Sequence, residues 1–176
     1  MSRKLIFISL LVLITTSLLF LALGQSQKAT AYKAGVVKKG EYLVTLSGCN
    51  DCHSPKIYSE QGPMPDPKRL LSGHPADAKI PPIDQSMIGP GKWMLCNEHL
   101  TAWVGPWGMS FAANLTPDEQ TGIGLWTEDI FIKALRTGKH MGAGRPILPP
   151  MPWQNYAQFS DEDLQANFAY LKSLTP

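Results

Sequence analysis

Neither sign of charge dominates this sequence: 16 basic side chains stand against 14 acidic ones in 176 residues, a formal net charge of +2. Nucleic-acid binders carry clustered basic patches, so that class is set aside. Charged residues make up 17% and apolar residues 44%, the balance of a globular chain and not of a disordered one. No internal repeat or low-complexity tract is present. Long apolar runs are limited to one, Leu5–Leu23, preceded by Arg3 and Lys4. No cysteine lies near the end of that run, which argues against lipid attachment there.

What that run does is open at two ends. Positive charge followed by an apolar stretch is the pattern of an export signal, and Ala22-Leu23-Gly24 offers a cleavage tripeptide with small ends. The length also suffices for a membrane-spanning helix. Residues 1–24 are therefore expected to be a signal peptide or a membrane anchor, and both place the rest outside the cytoplasm. Residues 25–36 read as a linker, with Lys28 and Lys33 and no acid. The folded domain is expected over 37–176.

Its first helix is expected over about Val37 to Leu46, with Tyr42, Leu43 and Leu46 on the apolar face and Gly48 ending it. From Ser54 to about Thr116 the chain holds nine of its 15 prolines and six glycines. Proline removes a backbone donor and fixes φ, so long helices cannot pass through. The same stretch carries Trp93, Trp103, Trp107 and Phe111 and reads as an ordered, loop-rich wrap over a flat apolar object. Regular structure returns at Thr127, a helix cap followed by Glu128 and Asp129, with Ile130, Ala134 and Leu135 facing inward and Gly138 as the stop. A last helix starts at Ser160, with Asp163 in the capping-box position and Leu164, Phe168 and Leu171 as its stripe.

Between the first helix and the proline-rich stretch lies Cys49-Asn50-Asp51-Cys52-His53. A Cys-x-x-Cys-His run is the attachment signature of c-type haem. Two thiols spaced by two residues reach the two vinyl groups along one porphyrin edge, and the adjacent His53 supplies an axial imidazole. A second such motif around Cys96 fails, because position 98 is Glu98; one haem is expected, and Cys96 is expected to be a small buried apolar residue. Two rivals remain. Cys49 and Cys52 with Cys96 and His99 would make a zinc-stapled binding module, and an iron with no sixth ligand would make a haem enzyme or gas sensor.

For the sixth ligand the sequence offers Met64, Met87, Met94, Met109, Met141, Met151, His74, His99 and His140. Met151, between Pro150 and Pro152, sits in a segment that cannot collapse into a helix or ladder, and Met/His ligation is an established cytochrome arrangement. Met151 is the first choice and Met109 the second. Arg145 and the indole N–H of Trp153 are candidates to hold a haem propionate.

Taken in order, N-terminal helix, Cys49-x-x-Cys52-His53, middle helix, methionine loop and C-terminal helix resemble a class I cytochrome c. Gly40, Tyr42 and Leu43 with Tyr170-Leu171 are similar to that family's crossing terminal helices. Ala113-Asn114-Leu115-Thr116-Pro117-Asp118, Thr121-Gly122-Ile123-Gly124, Trp126 and Pro149-Pro150-Met151-Pro152 resemble the haem domains of cytochrome subunits of bacterial alcohol and aldehyde dehydrogenases. Those subunits usually string several haem domains together, where this chain has one. The resemblance implies an all-α domain with a long Pro/Gly-rich loop insertion. It also implies a one-electron carrier in a periplasmic respiratory or dehydrogenase-linked chain. Its single haem c would be held by Cys49, Cys52, His53 and Met151, and it would not itself be an enzyme. The partners implied are a dehydrogenase donor and an oxidase or cytochrome acceptor, with a possible membrane tether.

Overall fold

The structure, a computed structural model, describes residue 30 and residues 33–176. The expected signal or anchor over 1–24, and most of the expected linker, lie outside the described residues. Contacts divide the chain into Met1–Val36 and Val37–Pro176. In the first unit Thr30 and residues 33–36 are helical; the second carries both sheets and the remaining helices. Among the described residues no helix is long and apolar enough to cross a membrane.

Helical residues continue to 46, and their part from 37 onward is α1. Its inward face differs from the expected one: Gly40 and Val44 are buried, whereas Tyr42 is 63% and Leu46 68% exposed. The reason is a close crossing. A Cβ at Gly40 would overlap the Ala166 carbonyl of the last helix, so the stripe that packs is the one containing the residue with no side chain. Gly48, at φ 69°, then reverses the chain in a left-handed conformation that suits glycine. It leads directly into the short helix α2, Cys49–His53.

The expectation of an all-α fold is corrected here. The stretch after α2 builds two antiparallel sheets, so the domain is mixed helix and strand. Strands β1 (Lys56–Ser59) and β2 (Gly62–Pro65) form one hairpin, with Lys56 opposite Pro65 and Ser59 opposite Gly62. Strands β3 (Leu95–Cys96), β4 (Ala102–Gly105) and β5 (Gly108–Phe111) form the second sheet in that order. Proline suppresses helix but is tolerated on edge strands, and both strands of a two-stranded sheet are edges. Pro63 and Pro65 therefore sit within β2 without breaking it.

The later helices follow their local signals. In α3 (Glu128–Thr137) the Thr127 hydroxyl accepts the Ile130 N–H at 3.3 Å, and Gly138 closes the helix at φ 63°. In the last helix, α5 (Asp161–Ser173), the Ser160 hydroxyl accepts the Asp163 N–H at 3.1 Å. Between them lies α4, a single turn over Trp153–Tyr156. The core gathers Val44, Leu71, Ile123, Phe131 and Leu171, with Phe168 packed on it. The Phe131 and Phe168 rings lie 5.4 Å apart. Phe131, one place after Ile130, is thus an inward residue that the expected α3 face left out.

Candidate functional site

α2 positions three donors on little more than one helical turn. Cys49, Cys52 and His53 all line a single cavity of about 510 Å³, within the size range of cofactor sites. Around the wall stand Trp103, Met109 and Phe111 from the second sheet, Ile123 and Trp126, Phe131 from α3, Leu171 from α5, and the loop Leu148-Pro149-Pro150-Met151-Pro152. The four residues expected to hold a cofactor are therefore brought to one space.

His53 is buried, and its Nδ1 lies 2.7 Å from the Ala113 carbonyl. A carbonyl only accepts, so Nδ1 carries the proton and Nε2 keeps its lone pair. Burial is the first cause of the lowered pKa of this imidazole, which favours the neutral, ligating form.

Just past His53 the backbone is fastened on several sides. The Ser54 hydroxyl donates to Asn50 Oδ1 at 2.8 Å and accepts the Leu71 N–H at 2.8 Å. The His53 carbonyl accepts the Gly73 N–H at 2.7 Å. Lys56, itself buried, donates its ammonium to the Asn50 and Ser54 carbonyls at the negative end of α2.

Burial pushes the pKa of the Cys49 thiol up to about 11 and raises that of Cys52 as well. Among the described residues no three His, Cys, Asp or Glu side chains gather as a metal site. His99 instead accepts the Lys56 N–H at 3.2 Å. Cys96 is exposed and not buried as expected, because it belongs to a two-residue strand that borders a separate, shallow apolar groove.

The methionine loop is pinned at both ends to the C-terminus of α3. Ile147 donates its N–H to the Gly138 carbonyl at 2.8 Å. The Trp153 indole packs where a Gly138 side chain would be, so it is occupied by packing and does not line the cavity. Arg145 and His140 do line it, and no Asp or Glu does. His140 is in edge contact with Trp126, their ring centres 5.3 Å apart. Of the other methionines among the described residues, only Met109 shares the wall with Met151.

These features fit a flat apolar macrocycle with anionic edges: an apolar wall, two thiols and an imidazole on little more than one turn, a thioether, and the Arg145 guanidinium with no acid beside it among the described residues. Sequence reasoning singled out Met151, Arg145 and the aromatics Trp103 and Phe111. It missed the Ala113 carbonyl and Tyr156, which also line the cavity. No sequence signal marks a carbonyl as an orienting group.

No protein-family model matches the chain. It is 32% identical over 162 residues to the cytochrome c subunit of gluconate 2-dehydrogenase from Pantoea cypripedii, covering 92% of this chain and 27% of that subunit. It is 41% identical over 71 residues to a nicotinate dehydrogenase subunit from Pseudomonas putida, covering 40% of this chain and 6% of that protein. Against the cytochrome c subunit of the quinone alcohol dehydrogenase from Gluconobacter oxydans it is 28% identical over 135 residues, covering 77% of this chain and 20% of that subunit. The chain is a homologue of cytochrome c subunits of dehydrogenases, and it spans about a quarter of the first of them.

Proposed function

We propose that this chain is a one-electron carrier that holds a single haem c and works beside a dehydrogenase outside the cytoplasm. One observation carries the proposal: Cys49, Cys52, His53 and Met151 line one apolar cavity, with the His53 proton committed to the Ala113 carbonyl. Cys49 and Cys52 would hold the group through thioethers, and His53 and Met151 would ligate its iron. When bound, its iron takes up and releases one electron.

The residues around it have separable tasks. Ala113 keeps His53 in the tautomer whose Nε2 is free to ligate. Trp103, Phe111, Ile123 and Trp126 exclude water, and a dry site with a thioether ligand favours the reduced state. Arg145 is the charged side chain of the wall and suits propionate carboxylates. Were His53 and Met151 both to ligate the iron, little room would remain for a substrate there, which favours a carrier over a haem enzyme or gas sensor. The apolar run behind Arg3 and Lys4 supports export, cleaved or tethered. The similarity to dehydrogenase cytochrome subunits supports a dehydrogenase as donor, with an oxidase or a second cytochrome as acceptor.

The test is a pair of visible spectra, oxidised and reduced, on protein produced with a haem-attachment system, repeated for Met151→Ala. A c-type reduced spectrum, with the ferric methionine–iron charge-transfer band present in the wild type and absent in the variant, supports the proposal. An unchanged band in the variant transfers the ligand role away from Met151, with Met109 next to test. Absence of covalent haem overturns the proposal.

A further inference from the structure

The segment from β4 through β5 to Ala113 touches both ends of the candidate site. Its hairpin tip is built on Trp107, whose ring packs against Gly105 so closely that a Cβ there would collide with it. The Trp107 indole N–H donates to the Ser110 hydroxyl at 3.3 Å. Ser110 in turn donates to the Pro149 carbonyl at 2.6 Å, across 39 residues of chain. Pro149 is two places before Met151. Three places after Ser110, the Ala113 carbonyl holds His53.

From this we infer that Ser110 is a positioning residue for Met151, and that β5 with the two residues after it is a clamp, Ser110 holding the methionine loop and Ala113 the histidine. The inference rests on the proposed role of Met151. Its physical basis is the loop's shortage of donors: its ends are fastened by Ile147 to Gly138 and by the Trp153 N–H to the Met151 carbonyl at 2.9 Å, and the prolines between them offer none. The prolines at 149, 150 and 152 have no N–H to donate, so the loop is held through acceptor carbonyls and packing. A donor supplied from another element is what such a segment requires. Ser110 is well suited because β5 is paired with β4 along its length, Trp103 opposite Ser110 and Val104 opposite Met109. The pairing sets which face of the sheet the hydroxyl leaves from. Trp107 then occupies the hydroxyl's acceptor side and leaves its proton for Pro149.

The experiment measures imidazole binding to the ferric haem-loaded protein, where added imidazole competes with the methionine for iron. Four proteins are compared: wild type, Ser110→Ala, Ser110→Thr and Met151→Ala. Losing one such hydrogen bond should raise the apparent imidazole affinity of Ser110→Ala about three- to tenfold. Ser110→Thr keeps the hydroxyl and should return to the wild-type value. Met151→Ala should bind imidazole most tightly of all. Equal affinity for wild type and Ser110→Ala, with Met151→Ala still far tighter, overturns the clamp and leaves the ligand assignment standing. Met151→Ala no tighter than wild type overturns the ligand assignment, and the clamp with it.

Discussion

The Tyr156 hydroxyl donates to the Ser47 carbonyl at 2.8 Å, joining residues 109 positions apart. Ser47 opens the turn that feeds α2 through Gly48, and Tyr156 is the last residue of α4, just past the methionine loop. The bond therefore ties together the two segments that flank the candidate ligands. Burial first, then the nearby Cys49 and Cys52, pushes the Tyr156 phenol up to about 12, so it remains a donor throughout the physiological range.

Tyr156→Phe removes that donor while keeping the ring. It should lower unfolding free energy by about 0.5–1.5 kcal/mol. In urea titrations the midpoint should fall with the slope unchanged; an unchanged midpoint would show that the bond adds nothing to stability.

Gly40→Ala tests the crossing of α1 and α5. The new methyl group would overlap the Ala166 carbonyl and press on Tyr170 Cβ, so the helices must separate. Overpacking of this kind costs about 1–3 kcal/mol, against a small gain in helix propensity at a mid-helix position. Thermal unfolding should register a lower midpoint. A midpoint equal to or above wild type would mean that the helices do not meet at Gly40.

Acid should weaken the fold through four carboxylates, of which Asp84 is held down by Ser86. Asp66 is held below its ordinary value of 3.8 chiefly by the Lys68 N–H and the Arg69 side chain. Asp118 is held down by the Thr121 N–H and hydroxyl, and Asp163 by the Lys39 ammonium and the Ser160 hydroxyl. A depressed folded pKa means that the unfolded chain takes up protons first. The stabilisation is thus complete above the ordinary carboxylate value and disappears as pH falls through the lower folded one. Urea midpoints should be flat near neutrality and drop below about pH 4, with a shallower drop in Asp118→Asn. An acid limb unaltered by that substitution would remove Asp118 from the account.

Thiol counting separates covalent attachment from simple binding. Cys96 is exposed while Cys49 and Cys52 line the cavity. Protein carrying thioethers at the latter pair should react with a maleimide at Cys96 alone, and should still do so after denaturation. Three reactive thiols in denatured, haem-containing protein would rule out the thioether bonds.

Much of the helical frame was legible because its signals are local. Thr127 and Ser160 cap through N–H groups three residues on, and Gly48 and Gly138 mark helix boundaries by a backbone conformation that glycine adopts freely. The face of α1 was misjudged for the opposite reason. Tyr42 and Leu46 are apolar enough to be inward, and only the position of Ala166 makes Gly40 and Val44 the contact surface.

The two sheets were missed because their strands are at most four residues long and two prolines lie within one of them. Composition in that stretch reports what cannot form, a long helix, and not what forms instead. The expected burial of Cys96 failed similarly: a small apolar residue has no preference strong enough to overrule the strand on which it falls.

By itself the sequence brought Cys49, Cys52 and His53 together on little more than one helical turn, since their spacing is set along the chain. It also made Met151 the first choice among the methionines by setting it among prolines. Tertiary structure alone decided that His53 points its proton at Ala113, 60 residues away, and that Ser110 reaches Pro149. Those contacts depend on strand register and on where two distant segments of chain meet. Neither leaves a trace in the residues that make them, because a backbone carbonyl is the same group at every position.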